Sequence, residues 1–405
     1  MPPRLRIGLD ARTFSGAMTG IGNYACQIIR NTSEIDASLE FFGYKNFSLQ
    51  KLDDGFFEAL NRSADNSTAK LRSSADLSKV FGRAKNRMAS KLSQVALART
   101  MYTAVRNYRF KRVVESRPFD IFHAYNYVPP SDPGAVVLPV VYDLSFIRFP
   151  ETHPKERLKL LERLPYVIEQ APFIQTISQF SKSELIDVFK CQPDKVFVAP
   201  PAASPVFQPK GEEACRRDLA EFGLRHGQYF LSVGTLEPRK NLVTLISAYS
   251  RLAANSQALF PLVIVGGTGW GNLNLPKQTV ELVRQGAIRF VGRAMENQLR
   301  SLYEGARLLL FPSIYEGFGM PVVEALACGT PVAYSAGTAM EEIASGVGQR
   351  ASATDVVSWT NLLQIAMDEN DHCNVELRQQ RILRAKCFSW QASALQVVEI
   401  YRKLL

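Results

Sequence analysis

The sequence predicts the α/β class: two domains in tandem, each built on a Rossmann-like parallel sheet. Three observations predict it. Short apolar runs alternate with intervals long enough for crossover helices, the pattern of parallel strands covered on both faces. The 405 residues suffice for two substantial cores. A proline-rich stretch over roughly 200–212, with Pro200, Pro201 and Pro205, separates the runs into two groups and reads as a linker. The expected units are therefore 1–205, 206–385 and a closing helix over 386–405.

In the first unit, Leu5-Arg6-Ile7-Gly8-Leu9-Asp10 reads as the opening strand and residues 20–31 as the glycine turn and helix after it. Gly20 and Gly22 suit either a close approach of backbone to ligand or a plain strand-to-helix turn. Residues 40–44 form a second short strand. The stretch 46–78, rich in Asn, Ser, Asp and Lys, shows little periodicity and reads as a mobile loop. Over 83–114, Met88, Leu92, Val95, Leu97, Met101, Val105 and Tyr108 recur at about helical spacing among cations. This is either a docking face for an anionic surface or a core-facing stripe. Phe119 to His123 is a further strand. His123 stands at its C-terminal end, where ligands of open α/β sheets bind, so it is a candidate site residue as well as a candidate core histidine. Strands over 136–142, 173–177 and 195–199 and a helix over 155–170 complete the unit, with Ser178 to Ser181 capping the helix that follows.

In the second unit, apolar runs at 229–233, 262–265, 288–291, 308–311 and 332–334 predict parallel strands. Arg239 and Lys240 precede a helix beginning near Asn241. Cations there oppose the helix dipole by roughly 0.3–1 kcal/mol each, and a bound diphosphate reverses that penalty. Arg293 follows the strand end Val291-Gly292 and Glu296 opens another helix; both either border a nucleotide or lie on the surface. The stretch from Phe311 to Pro331 organises the rest. It reads as a strand end, a glycine turn, a helix of about two turns with Pro321 at its start, and a stop at Gly329 and Pro331. The amides of Gly317, Phe318, Gly319 and Met320, backed by a helix N-terminus, form a cradle shaped for phosphate. Glu316 and Glu324 flank it. A carboxylate is tolerated beside phosphate where it accepts hydrogen bonds from sugar hydroxyls; the plain alternative is that both complement the helix dipole.

The hydrophobic fraction of 46% and charged fraction of 21% are ordinary for a globular protein. No run of about 18 apolar residues occurs, so no spanning helix is expected. The N-terminus starts on a strand without a secretory apolar region, which points to the cytoplasm. Six cysteines without paired spacing and four unclustered histidines predict no structural metal. The 48 Lys and Arg exceed the 38 Asp and Glu by 10. Residues 79–112 alone carry ten Lys or Arg and no acid, enough to account for the imbalance. That segment points to a polyanionic neighbour, such as the inner face of an anionic membrane. Nucleic acid is disfavoured, because aromatic stacking motifs are not interleaved with the cations.

Several segments resemble retaining GT-B glycosyltransferases of family 4. Glu316, inside Pro312-Ser313-Ile314-Tyr315-Glu316-Gly317-Phe318-Gly319-Met320-Pro321, and Glu324, separated from it by seven residues and following Val322 and Val323 after that stretch, resemble the donor-binding signature. Val233–Leu242, Val265–Trp270 and Thr19–Tyr24 are similar to further segments of that family, in the same order. The resemblance implies two domains facing across a cleft, with Gly20 and Gly22 over the donor phosphates and the last helix crossing back onto the first domain. It implies that Arg239, Lys240 and the 317–320 amides hold a diphosphate, that Glu324 binds ribose hydroxyls and that Glu316 orients the donor sugar. Gly266 and Arg293 would border the nucleotide. Family members often carry His-Asp where this chain has Tyr142-Asp143. That histidine is implicated in touching the transferred sugar, so here Tyr142, His123 or a backbone group takes over.

The expected reaction is transfer of a sugar, with retention, from a nucleotide diphosphate sugar to a hydroxyl of a glycan or polyprenyl-linked glycan in surface-polysaccharide assembly. No Asp-x-Asp motif supports a required divalent ion, and no cofactor is expected. Resemblance to bacterial mannosyltransferases at Leu144–Glu151 and Val265–Trp270 favours GDP-mannose as donor, with a UDP-sugar as second choice. A GT-B epimerase or phosphorylase, and a non-enzymatic protein binding membrane or nucleic acid through its basic segment, are the open alternatives.

Overall fold

A computed structural model describes residues 4–14, 20–45, 47–58, 60, 89–153, 155–269, 273, 275–369 and 371–405, with 89–100 as backbone only. The first sheet contains β1 (Leu5–Asp10), β2 (Leu39–Lys45), β3 (Ser48–Lys51), β4 (Ile121–Ala124), β5 (Val136–Val141), β6 (Ile174–Thr176) and β7 (Val196–Val198). Its order is β3-β2-β1-β4-β5-β6-β7, parallel throughout except for the antiparallel β2–β3 pair. The second sheet contains β8 (Phe230–Val233), β9 (Leu262–Val265), β10 (Ile288–Gly292), β11 (Leu308–Phe311), β12 (Val332–Ser335) and β13 (Gln349–Ala351). Its order, β10-β9-β8-β11-β12-β13, is wholly parallel.

Burial on both faces explains why these strands read as unbroken apolar runs rather than as alternating ones. In β11, Leu308 and Leu310 enter the core on one face while Leu309 and Phe311 enter the other. The latter core runs without interruption into the first domain, where it includes Ile7, Leu138 and Tyr142. Helix Val375–Ala385 packs on helix Met320–Ala327 of the second domain, whereas Trp390–Lys403 packs on Gly20–Ile35 of the first. The chain therefore crosses between domains at 386–389, next to the linker: Ser393 Oγ donates to the Pro200 carbonyl at 2.6 Å.

Two expectations need correction, one strand was not expected, and one pair of alternatives is decided. Ser48–Lys51 lies inside the stretch read as a loop, yet pairs with β2 from Phe42↔Lys51 to Lys45↔Ser48. It is a polar edge strand, and hydrophobic periodicity cannot reveal one; residues 61–78 lie outside the described residues. The polar β13 escaped for the same reason. The helix 155–170 is two helices, Lys155–Leu161 and Leu164–Gln170, with Pro165 in the first turn of the second, where a missing N–H costs nothing. The basic helix spans Ala89–Ser116. Met88 and the cations at 79–87 lie outside the described residues, and Met101, Val105 and Tyr108 face solvent rather than the core. The inward face is Arg106, Phe110 and Val114, four residues apart, and Phe110 packs edge-on against Tyr44 and Phe122.

Candidate active site

In the second sheet the strand order reverses between β8 and β11, and open α/β sheets bind ligands at such switch points. A small cavity lies there, lined by Gly234, Thr235, Lys240, Phe311 and Ser313 among others. Beyond β8 the chain stays tied to its neighbour: Gly234 N–H donates to the Val265 carbonyl and Leu236 N–H to that of Gly267, both at 2.9 Å. A 3-10 turn, Pro238–Lys240, follows, and Asn241 takes a left-handed conformation (φ 56°) that starts the helix Leu242–Tyr249. The Asn241 amide donates to the carbonyls of Pro312 at 3.1 Å and Ala353 at 2.6 Å, which locks the turn against the end of β11.

That lock brings the predicted cations onto the predicted carboxylate. Lys240 Nζ is 2.5 Å from Glu316 Oε1, and Arg239 Nη1 is 3.0 Å from Glu316 Oε2. All three side chains are close to nine-tenths buried. Burial alone would raise the Glu316 pKa, but Arg239 and Lys240 outweigh it and hold the carboxyl at about 2. Arg239 also donates to the Tyr315 carbonyl at 2.6 Å and to Glu237 at 2.9 Å. Burial opposes its charge, yet Glu316, Asp143 and Glu237 raise its pKa on balance. Three acceptors thus occupy Arg239, while Lys240 is the cation that lines the cavity.

Glu324 is in the opposite state. Its half-buried carboxyl accepts a hydrogen bond from the Tyr303 hydroxyl at 2.8 Å, and burial pushes its pKa up to about 8. Eight positions therefore separate an ion from a neutral acid.

Between them, the glycine turn serves a purpose the sequence did not disclose. A Cβ on Gly317 would lie 2.1 Å from the Tyr142 carbonyl, so the donor loop abuts the first domain's backbone directly. Gly319 has φ 119°, which an L side chain rarely adopts, and it is the residue before helix Met320–Ala327. The Phe318 ring is buried edge-on against Phe388 at 5.4 Å, leaving only its amide for a ligand. Met320 opens the helix, with Pro321 behind it.

The remaining candidates divide. Gly266 is a packing glycine, because a Cβ there would fall 1.8 Å from the Gly234 carbonyl. Arg293 backs the next glycine: its Nε is 2.8 Å from where a Cβ on Gly267 would lie. Gly20 and Gly22 are already in the first turn of helix Gly20–Ile35, not in a loop; residues 15–19 and Trp270 lie outside the described residues. His123 is the clear departure. It is fully buried, stacked on Tyr125 at 4.0 Å, and its Nδ1 is 2.6 Å from the Tyr401 hydroxyl of the last helix. Burial depresses its pKa to about 3, so it is a neutral core histidine with no access to a sugar. The Tyr142 ring likewise turns into the core, edge-on to Tyr24 and Tyr127. What this segment presents to the donor loop is the Tyr142 carbonyl and Asp143, a backbone group and a carboxylate.

Sequence reasoning noted Tyr315, Ser181 and Glu237 only as members of local motifs and passed over Glu184; it missed the contacts these residues make, most of them far along the chain. Of these contacts, only that of Glu237 with Arg239, two residues on, is local. Among the described residues no group of three His, Cys, Asp or Glu is placed to hold a metal ion. Among the same residues no helix is long and apolar enough to cross a membrane.

Two tandem parallel sheets, with a carboxylate and two cations at the switch point of the second, define a GT-B transferase architecture. The sequence model of the family described as "Glycosyl transferases group 1" matches residues 220–384. O-antigen chain mannosyltransferase B of Escherichia coli is 33% identical over 287 residues, covering 70% of this chain and 74% of that protein. Sucrose-phosphate synthase from Thermosynechococcus elongatus superposes with a TM-score of 0.68 at 17% identity, over 99% of both chains. Anabaena HepE in complex with UDP and glucose gives 0.65 at 15% identity, over 99% of this chain and 100% of that one. The chain belongs to the group 1 glycosyl transferases.

Proposed function

We propose that the chain transfers mannose from GDP-mannose, with retention, to a hydroxyl of a glycan or polyprenyl-linked glycan during surface-polysaccharide assembly. The observation that carries this reading is the Lys240–Glu316–Arg239 cluster at the β8/β11 crevice. The choice of mannose rests on the similarity to a protein named as an O-antigen mannosyltransferase. A UDP-sugar is the second choice, since the similar HepE binds UDP.

In the ligand-free chain Glu316 neutralises the cations. An arriving diphosphate takes Lys240 over, and Glu316 is released to accept hydrogen bonds from the sugar. The C1–O bond to phosphate then breaks while the acceptor oxygen attacks the same face, and the acceptor proton passes to the departing phosphate oxygen. Charge builds on that phosphate, where Lys240 and the 318–320 amides are already oriented, so little reorganisation is needed. Glu324 receives the ribose hydroxyls. No cofactor enters this scheme.

The exposed face of helix Ala89–Ser116 supplies the membrane partner. Met101, Val105 and Tyr108 form an outward apolar stripe, flanked by exposed Arg109, Lys111 and Arg112. Such a face suits the cytoplasmic leaflet, where anionic lipids attract cations and the stripe enters the headgroup layer.

The test is a panel of nucleotide sugars with a lipid-linked glycan acceptor, following diphosphate release and the anomeric configuration of the product by NMR. GDP-mannose turnover with an α-linked product is expected. Release from no nucleotide sugar, or a β-linked product, overturns the assignment.

A further inference from the structure

Three side-chain contacts join the two domains around the donor loop. Ser181 Oγ lies 3.0 Å from the Tyr142 carbonyl and 3.2 Å from the Gly317 carbonyl, touching both domains at the point where they meet. The Tyr315 hydroxyl accepts from Leu144 N–H at 3.1 Å and donates to Glu184 at 3.3 Å. Glu184 is in turn fixed by two bonds from Arg148, at 2.9 and 2.8 Å. The third contact is a helix cap supplied by the other domain. Helix Gln179–Phe189 has its own Ser178 cap for Ser181 N–H, but its first two amides point to Glu342, whose Oε2 accepts from Gln179 N–H at 2.8 Å and Phe180 N–H at 3.2 Å. A carboxylate is the favoured partner for that end of a helix.

Glu342 is itself held in place by the donor side. Arg384, on the helix leading into the crossover, donates to the carbonyls of Glu342 and Ile343. Met340, two residues before Glu342, packs behind Gly319: its Cγ is 3.0 Å from where a Cβ would lie. The Tyr315 ring is wedged between Phe149 at 5.7 Å and Phe180 at 5.5 Å, both of the first domain. Opening the domains would strand the Leu144, Gln179 and Phe180 amides and remove the wall against which Gly317 rests.

We propose that Glu342, Ser181 and Tyr315 are positioning residues that form a three-point latch, through which the acceptor-side domain sets the geometry of the donor loop Tyr315–Met320. The inference rests on the transfer reaction proposed above and adds a condition to it. The loop reaches its working shape only with the domains closed, and Glu316, between Tyr315 and Gly317, is aligned by these contacts in addition to its pairs with Lys240 and Arg239. By linkage, whatever closes the domains from the acceptor side tightens the donor loop, and the reverse.

The experiment compares the intact chain with Glu342→Ala, Glu342→Gln and Tyr315→Phe by hydrogen exchange, GDP binding and turnover. Tyr315→Phe keeps the wedged ring and loses only the hydroxyl. The latch predicts that it speeds exchange at Leu144, and also at Gln179, which Tyr315 does not touch, each by about tenfold, as loss of a charge-assisted bond implies. Glu342→Ala speeds exchange at Leu144 likewise. In both variants kcat falls by about tenfold and GDP affinity falls by no more than the same factor, as linkage requires, while the melting temperature stays close to that of the intact chain. Glu342→Gln, which keeps an acceptor oxygen, recovers most of the loss. Exchange that changes only at the residue directly contacted, or an unchanged kcat, overturns the latch. The exchange experiment needs no sugar, so an intact chain that transfers nothing would strike the proposed reaction and leave the latch standing or falling on its own result.

Discussion

The strand ends that meet at the donor loop differ in chemistry, although β1 too ends on an ion pair, Asp10 with Arg12, and Asp143 follows Tyr142. At β8 and β11 they present ions: Lys240, Arg239, Glu237 and Glu316, buried and mutually paired. At β4, β5 and β6 the corresponding positions hold His123, Tyr142 and Gln175, buried and neutral, packed with Tyr24, Tyr125 and Tyr401. Buried charge survives only where it is paired, and such a pair is ready to exchange one partner for a diphosphate. A cluster of neutral aromatic and amide groups has nothing to offer a phosphate. The difference supports the proposed placing of the donor in the second domain, while the first domain's interior seats the last helix.

The largest effect that tests this contrast is a pair of substitutions. Lys240→Ala removes the one cation that lines the cavity among the described residues and is expected to lower turnover by about 100- to 1,000-fold, the cost of deleting a preorganised charge from a site where charge develops. Arg239 still holds Glu316, so the fold should persist. His123→Gln, in the neutral cluster, is expected to lower stability by about 1–3 kcal/mol, because the Tyr401 hydroxyl loses its partner, and to change turnover by less than about threefold. Rates and melting curves read both. If His123→Gln proved as damaging to turnover as Lys240→Ala in a protein that still melts normally, the division of labour would collapse.

The same contrast explains what could be read from the sequence. Donor chemistry is carried by contiguous stretches, Glu237 to Asn241 and Pro312 to Glu324, because a phosphate site is made from strand ends and the turns directly after them. Glycines, cations and carboxylates cannot hide there. The reason for Gly317 was nonetheless misjudged: the close approach it permits is to the Tyr142 carbonyl, and a contact across 175 positions leaves no mark in local spacing. His123 failed for a related reason. A strand end marks where ligands bind, but whether a side chain there meets ligand or core depends on what packs above it, here Tyr401 from the last turns of the chain. Ser178 as a cap and Pro321 as a helix start are local consequences, and the sequence carried them. The stripe of the basic helix has a helical period, but period alone gives no direction; buried Phe110 and Val114 turn it outward.

That helix gives the next largest expected effect and extends the contrast to the first domain's exterior, where its free charge lies. Met101 is 62% exposed, Val105 49% and Tyr108 59%, an outlay of apolar surface on an isolated helix face. Each Lys or Arg near an anionic surface contributes about 1 kcal/mol, so reversing Arg109, Lys111 and Arg112 to Glu should weaken binding to vesicles containing anionic lipid by more than about tenfold. Sedimentation with vesicles of neutral and anionic composition measures it. Turnover of a soluble acceptor analogue should hold, because none of the three touches the donor site. Equal sedimentation of the intact and reversed chains would return the helix to the status of an ordinary solvated face.

The smallest expected effect separates the two carboxyls that share one short helix and its approach. Glu316 ionises at about 2, so it stays an anion across the physiological range, while Glu324 at about 8 is mostly protonated at neutral pH in the ligand-free chain. Burial is the main cause for Glu324; the Tyr303 hydroxyl opposes it weakly and the nearby Glu296 carboxylate adds to it. Ribose hydroxyls donate hydrogen bonds and so favour the ionised form, which means that binding a nucleotide below about pH 8 expels a proton. Affinity for GDP must then rise with pH, by at most about tenfold per unit, and level off above the ligand-free pKa. Titration calorimetry from about pH 7.5 to 8.5, where the diphosphate is almost fully ionised and guanine keeps its N1 proton, separates this proton from those of the ligand. Glu324→Gln should flatten the profile and Glu316→Gln should not. A flat profile in the intact chain would mean that Glu324 keeps its proton with nucleotide bound, and the ribose would need another acceptor.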